Sequence, residues 1–184
     1  GEGWHSDVSC DEEPPAISIL RFDVLPDHGG DTAFASSVAA FERLSAPVQD
    51  LLRGLRAVHS GDLPYRQVYG TAMSQEVPRA SHPVVIAHPV TGRESLFVNS
   101  GFTERIEGVS RAESAALLAM LFAHIANGVV FQTRIRWEPG TVTLWDNRSV
   151  QHYASWDYFP ATRSGWRVTT RGGRPVAAER AAAK

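Results

Sequence analysis

Residues 16–24 (AISILRFDV) are rich in branched apolar side chains, which predicts a strand. The run Pro26-Asp27-His28-Gly29-Gly30-Asp31 is a dense turn signal, and residues 32–35 are expected to return as the next strand. Ser36 or Ser37 can cap a short helix reaching Leu44, and Ser45 with Pro47 opens another that stops at Gly54. Residues 59–81 are polar and interrupted by Gly61, Pro64, Gly70 and Pro78, so they are expected to form a long surface loop, a candidate lid. Residues 82–88 (HPVVIAH) predict a strand, 89–92 a turn, and 95–98 the returning strand. The clearest helix comes next. Ser110-Arg111-Ala112-Glu113 is a capping box, residues 115–126 are apolar on most faces, and Asn127-Gly128 ends the run. Strands are predicted at 129–137, 142–145, 149–153 and 167–170, with a Pro139-Gly140 turn between the first two. The tail 176–184 is Ala-rich and predicts a short helix or a frayed end. Many short strands with few helices indicate a mainly β fold with helical cover, a β-sandwich or jelly roll, spanning 1–184 as one domain.

Composition narrows the function. A chain of 184 residues can bury about 70% of its unfolded surface, so it needs no covalent staples. Its single cysteine, Cys10, excludes an internal disulfide and a cysteine-rich zinc site. Twenty acidic and 18 basic residues leave a formal charge of −2, without the basic excess of a nucleic-acid binder. No apolar run approaches the roughly 18 residues that span a bilayer, and residues 1–7 lack a signal-peptide layout. The expectation is a soluble, cytoplasmic protein with no nucleic-acid or membrane partner. All basic residues but Lys184 are arginine, which can pair with oxyanions bidentately.

The sharpest chemical feature is Trp4-His5-Ser6-Asp7. In an extended segment His5 and Asp7 face the same way, and an imidazole and a carboxylate on one face can share a metal ion. With seven His and nine Asp in the chain, His-x-Asp would arise about 0.34 times by chance, so the pair alone carries little. A third group, His152, sits near the end of a predicted strand. Two histidines and a carboxylate form the facial triad that holds non-haem iron(II) with open coordination positions, whereas zinc more often leaves one position open or none. His28, His59, His82, His88 and His124 are weaker candidates, suited to surface or satisfied-core roles. Arg163 and Arg167 lie four residues apart, hence on one face of an extended segment, and could grip a dianionic ligand. Thr32, just past the glycine turn, could add a hydroxyl.

Together the stretches WHSDVSCDEEPPAISIL, GGDTAFAS, HPVVIAHPVTGRESLFVNSGFTERI and LWDNRSVQHYA, with the arginines after DYFP, resemble the taurine dioxygenase family of iron(II)- and 2-oxoglutarate-dependent oxygenases. The resemblance runs in family order from Trp4 to about Pro175. It implies a double-stranded β-helix with His5, Asp7 and His152 as iron ligands, Thr32 and Arg163 on the distal carboxylate of 2-oxoglutarate, and Arg167 and Phe102 at the substrate. Trp145, in the LWDN stretch, falls beside the iron. The implied co-substrates are 2-oxoglutarate and O2, and the implied products include succinate and CO2. Asp7 implies hydroxylation, desaturation or cleavage after hydroxylation, because halogenating relatives have a small residue there. Gly1 stands where taurine-type members carry a polar side chain, so another small anionic substrate is expected: a sulfonate, a sulfate ester or a carboxylate. Self-association is common in the family. The His-x-Asp pair lies well inside such chains, so this sequence is expected to lack an N-terminal segment. Two alternatives stay open: a cupin-like isomerase or lyase, and a truncated non-catalytic relative.

Overall fold

A computed structural model describes residues 3–62, 64–65 and 77–178. The first strand, β1 (Ile17–Val24), is followed by β2 (Thr32–Ser36), α1 (Ser37–Glu42), α2 (Ala46–Arg53) and β3 (Arg56–Ser60). Strands β4 (Arg79–Pro83), β5 (Val85–Ala87), β6 (Glu94–Leu96) and β7 (Thr103–Ile106) lead to the long helix α3 (Arg111–Asn127). A single 3-10 turn (Val129–Phe131) then precedes β8 (Gln132–Ile135), β9 (Val142–Asp146), β10 (Val150–Ala154) and β11 (Ser164–Thr169).

The strands form small antiparallel sheets in the orders β11-β1-β9, β10-β2-β8, β4-β3-β7 and β5-β6. Strand β2 therefore does not return against β1 as its position after the glycine turn suggests. It crosses to a second sheet, where His152 on β10 lies opposite Phe34 and Ala154 opposite Thr32. The predicted loop 59–81 is shorter than expected. Its two ends pair as β3 and β4, with His59 opposite Ala80 and Ser60 opposite Arg79. The middle of the proposed lid lies outside the described residues, as does the tail beyond Ala178. The predicted strand 82–88 is two short strands that belong to different sheets, and 129–137 begins with the 3-10 turn.

Helix caps follow the sequence. The Ser36 hydroxyl accepts from the Ala39 N–H, and Ser45, whose side chain makes no capping bond, starts α2 with proline in its first turn. The Ser110–Glu113 box closes from both sides: the serine hydroxyl accepts from Glu113 N–H and the glutamate carboxylate from Ser110 N–H. Leu118, Leu121 and Ile125, three and four apart on α3, are buried and join Phe41, Leu52, Val84, Val85, Leu96, Val98 and Ile106 in the principal core. That core packs α1 against β6 and α3 against β7.

Candidate metal centre

His5 and His152 are tied by a two-way backbone bridge: His5 N–H donates to the His152 carbonyl at 3.0 Å, and His152 N–H to the His5 carbonyl at 2.8 Å. That bridge sets their rings 4.1 Å apart between centroids, tilted by 46°. Asp7, two residues on, turns to the same side. Its Oδ1 lies 4.0 Å from His5 Nε2 and 3.9 Å from His152 Nε2. One ligand atom from each of the three residues lies within 4.8 Å of the others. These spacings suit atoms facing a common ion, not direct hydrogen bonds.

Burial favours the neutral form of both imidazoles. The His5 pKa is pushed down chiefly by desolvation, against the opposing pull of the Gly3 carbonyl and Asp7. His152 lies well below the usual histidine range, through burial first and then through His5 and Arg167. A neutral ring is the ligating form. The Nδ1–H of His5 donates to the Gly3 carbonyl at 2.7 Å, which leaves the Nε2 lone pair facing Asp7. A close approach also seats His5: a Cβ on Gly101 would fall 2.8 Å from the His5 Cβ.

Asp7 is more heavily supported than either histidine. Ser18 on β1 donates to its Oδ2 at 2.5 Å. Asn147 accepts from the Asp7 N–H at 3.1 Å and from the Trp145 indole N–H at 3.1 Å, and its own amide donates to Ser18 at 2.8 Å. Every polar group in this chain of contacts is buried and satisfied, so the carboxylate orientation is fixed from behind. Sequence reasoning missed Ser18 and Asn147. Serine in a strand carries no signal of its own, and Asn147, though inside the LWDN stretch, meets Ser18 from 129 residues away. The turn after Asp7 is strained, because Val8 sits at φ 48°, a left-handed conformation that costs a β-branched residue about 1–2 kcal/mol.

Of the remaining candidates, Arg167, Trp145 and Phe102 lie against the triad, and Thr32 shares a strand face with Phe34 next to His152. Thr32 is buried on the face of β2 that carries Phe34, opposite His152, and its hydroxyl accepts from the Trp137 indole at 3.0 Å. Trp145 packs its ring 4.7 Å from that of His152. Phe102 is buried with its ring 6.1 Å from that of His5. Arg163 stacks its guanidinium 4.6 Å from the centre of the Phe22 ring and 5.2 Å from that of Tyr158, and donates to the Gly30 carbonyl. The Gly29-Gly30 turn that offers this carbonyl is held by Asp157, which accepts from Gly30 N–H at 2.7 Å. Gly29, at φ 72°, has no room for a Cβ, which would meet Asp157 at 2.7 Å. Arg167 lies across from Leu20 in the β1–β11 register and donates to Asp7 Oδ1 at 2.5 Å. The other candidate histidines stay apart from the triad. His88 pairs with Asp146, His124 reaches the Ala40 carbonyl, and His59 and His82 lie buried behind the Asp7 turn. Gly1 is outside the described residues.

Two histidines and one carboxylate converge on a β framework in the donor set of a facial ligand triad, with the Arg167 guanidinium against the carboxylate. Residues 1–169 match the family described as taurine catabolism dioxygenase TauD, TfdA family, and the chain belongs to that family. An alpha-ketoglutarate-dependent sulfonate dioxygenase of Saccharomyces cerevisiae is 39% identical over 95% of this chain and 43% of its own length. An alpha-ketoglutarate-dependent sulfate ester dioxygenase of Pseudomonas putida is 39% identical over 94% of this chain and 60% of its own length. The chain thus spans about half the length of these relatives. Among solved structures, a taurine dioxygenase from Burkholderia xenovorans superposes with a TM-score of 0.84 at 38% identity, covering 95% of this chain and 59% of that one. The AAD-2 structure in complex with Mn(II) and N-oxalylglycine superposes with a TM-score of 0.84 at 28% identity, covering 94% and 69%. No helix among the described residues is long and apolar enough to cross a membrane.

Proposed function

We propose that this chain carries the active centre of an Fe(II)- and 2-oxoglutarate-dependent dioxygenase that oxidises a small anionic organic substrate, on a double-stranded β-helix. One observation carries the reading: ligand atoms of His5, Asp7 and His152 lie within 4.8 Å of one another, in a buried setting that favours the neutral form of both rings. The donor set fits iron(II), with two imidazole nitrogens and one carboxylate oxygen turned to a common point and the other Asp7 oxygen already taken by Ser18. When bound, iron(II) and 2-oxoglutarate supply the oxygen chemistry, in which O2 is consumed, succinate and CO2 are released, and a substrate C–H bond is oxidised.

The protein's own residues bind and orient. Arg163, pre-set between Phe22 and Tyr158 and fixed on Gly30, presents its free guanidinium edge to the distal carboxylate of 2-oxoglutarate, and the Thr32 hydroxyl, held by Trp137, is assigned to the same carboxylate. Arg167 spends one donor on Asp7 and keeps the rest of a half-exposed fork for the anionic group of the substrate. Phe102 forms an apolar wall near His5. The named substrates of the relatives, sulfonates and sulfate esters, are of the kind Arg167 would grip.

Anaerobic addition of Fe(II) and 2-oxoglutarate should produce a weak visible charge-transfer band, and O2 with a panel of sulfonates, sulfate esters and carboxylates should yield succinate. A protein that gives neither is not this oxygenase. His152→Ala should abolish the band. Arg163→Ala should weaken 2-oxoglutarate binding by about 10- to 150-fold, the worth of a charge-assisted contact.

A further inference from the structure

Behind the metal ligands lies a buried polar cluster that the proposed reaction does not use. Asn99 donates to the Ser9 hydroxyl at 3.0 Å, and the same hydroxyl lies 3.0 Å from His59 Nδ1. His82 donates through Nε2 to the Asp11 carbonyl at 2.9 Å. Ser9, His59 and Asn99 are wholly inaccessible and His82 nearly so. Burying polar atoms is costly unless they are hydrogen-bonded, and here His59 Nε2 and His82 Nδ1 have no partner among the described residues, so the cluster carries a cost that its hydrogen bonds offset only in part. What they touch is the turn that reverses the chain after Asp7: Ser9 and Asp11 are its contact points, the Asp11 N–H closes it on the Val8 carbonyl at 3.0 Å, and Val8 holds the left-handed φ of 48°. A β-branched residue stays there only when its surroundings over-determine it.

We propose that Ser9, His59 and Asn99 are positioning residues for the metal ligand Asp7: their hydrogen bonds hold the strained Val8 turn and so keep the carboxylate aimed between His5 and His152. The inference rests on the reading of His5, Asp7 and His152 as the metal site. Strands β3 and β4 supply the two histidines, and the segment before β7 supplies the asparagine, so three separate stretches grip one turn. Released from that grip, Val8 would relax to negative φ and swing Asp7 off the common point. Glycine at position 8 adopts the left-handed conformation without that penalty, so it should make the grip less necessary.

The test is Co(II) titration of the whole chain, read by the visible d–d band, with thermal melts of the metal-free proteins alongside. Ser9→Ala removes one oxygen from the cluster and should weaken Co(II) binding by about 10- to 100-fold, the range typical of groups that support a ligand. Adding Val8→Gly to Ser9→Ala should recover about tenfold of that loss. His59→Asn, which keeps a polar atom near the Nδ1 position, should bind Co(II) more tightly than His59→Leu, and this pair decides the matter if Ser9→Ala does not fold. Lower melting temperatures with wild-type Co(II) affinity would make the cluster merely structural and overturn the proposal. So would a double variant no better than Ser9→Ala, or His59→Asn no better than His59→Leu. Wild-type protein that gives no Co(II) band overturns the metal-site reading itself, and this inference with it.

Discussion

Replacing Ser18 by alanine should loosen the metal without touching a ligand. The Ser18 hydroxyl donates to Asp7 Oδ2 at 2.5 Å and accepts from Asn147 at 2.8 Å, all three groups being buried. Its bond to the carboxylate is charge-assisted, worth about 1.5–3 kcal/mol. Were that bond equally present with and without metal, its loss would leave affinity unchanged. Arg167 makes the two states differ. Its guanidinium already touches Asp7 Oδ1, and in Ser18→Ala the freed Oδ2 can rotate toward the same fork. The metal-free protein would then be stabilised by an ion pair that the metal must break. If the whole bond is recovered in that way, affinity falls by about 10- to 150-fold, since each 1.4 kcal/mol is a factor of ten. Competition titration with a chelating dye measures the change directly, and urea melts of the metal-free forms report how much of the fold is lost. An unchanged Co(II) affinity would refute the idea that Ser18 sets the orientation of Asp7.

The buried histidines make stability fall in acid. His59 is pushed down to about 3, chiefly by burial, and His82 is lowered for the same first reason. Below the unfolded value of about 6.5 the unfolded chain takes up protons that the folded protein refuses, so this stability is complete above that pH and is lost as pH falls. His59 alone should cost about 2 kcal/mol between pH 6.5 and 5, and urea midpoints should show a shallower pH slope in His59→Asn. Gly101→Ala would place a Cβ 2.8 Å from that of His5, so it should cost about 1–3 kcal/mol in thermal stability and disturb the Co(II) spectrum. A normal spectrum would show that the loop yields in place of the ligand. Asp157→Ala frees the Gly30 turn that anchors Arg163, and should raise the 2-oxoglutarate dissociation constant about two- to fivefold by calorimetry, with Co(II) binding unchanged.

Local chemistry was legible along the chain where neighbours in sequence are partners in space. The Ser110 capping box, the strand at β1 and the turn after His88 could be read because each is decided within a few residues. Strands β3 and β7 were not: RAVHS sits where the polar run begins, TERI holds two charges in four residues, and they become strands because β3 pairs with β4 on one side and β7 on the other. The destination of β2 was equally hidden, since a glycine turn says where the chain reverses but not which sheet it joins.

For the site, residue types and order along the chain singled out His5, Asp7, His152, Thr32, Arg163 and Arg167, and the family resemblance added Phe102. Tertiary structure alone brought the two histidines onto one backbone bridge, put Ser18 and Asn147 behind Asp7, and laid Arg167 against the same carboxylate. Those contacts join positions 11 to 160 residues apart. A chain can advertise which groups ligate, because ligating chemistry belongs to side chains. It cannot advertise which buried hydroxyl or amide will hold them, because a supporting group is defined only by the surface that folding places against it.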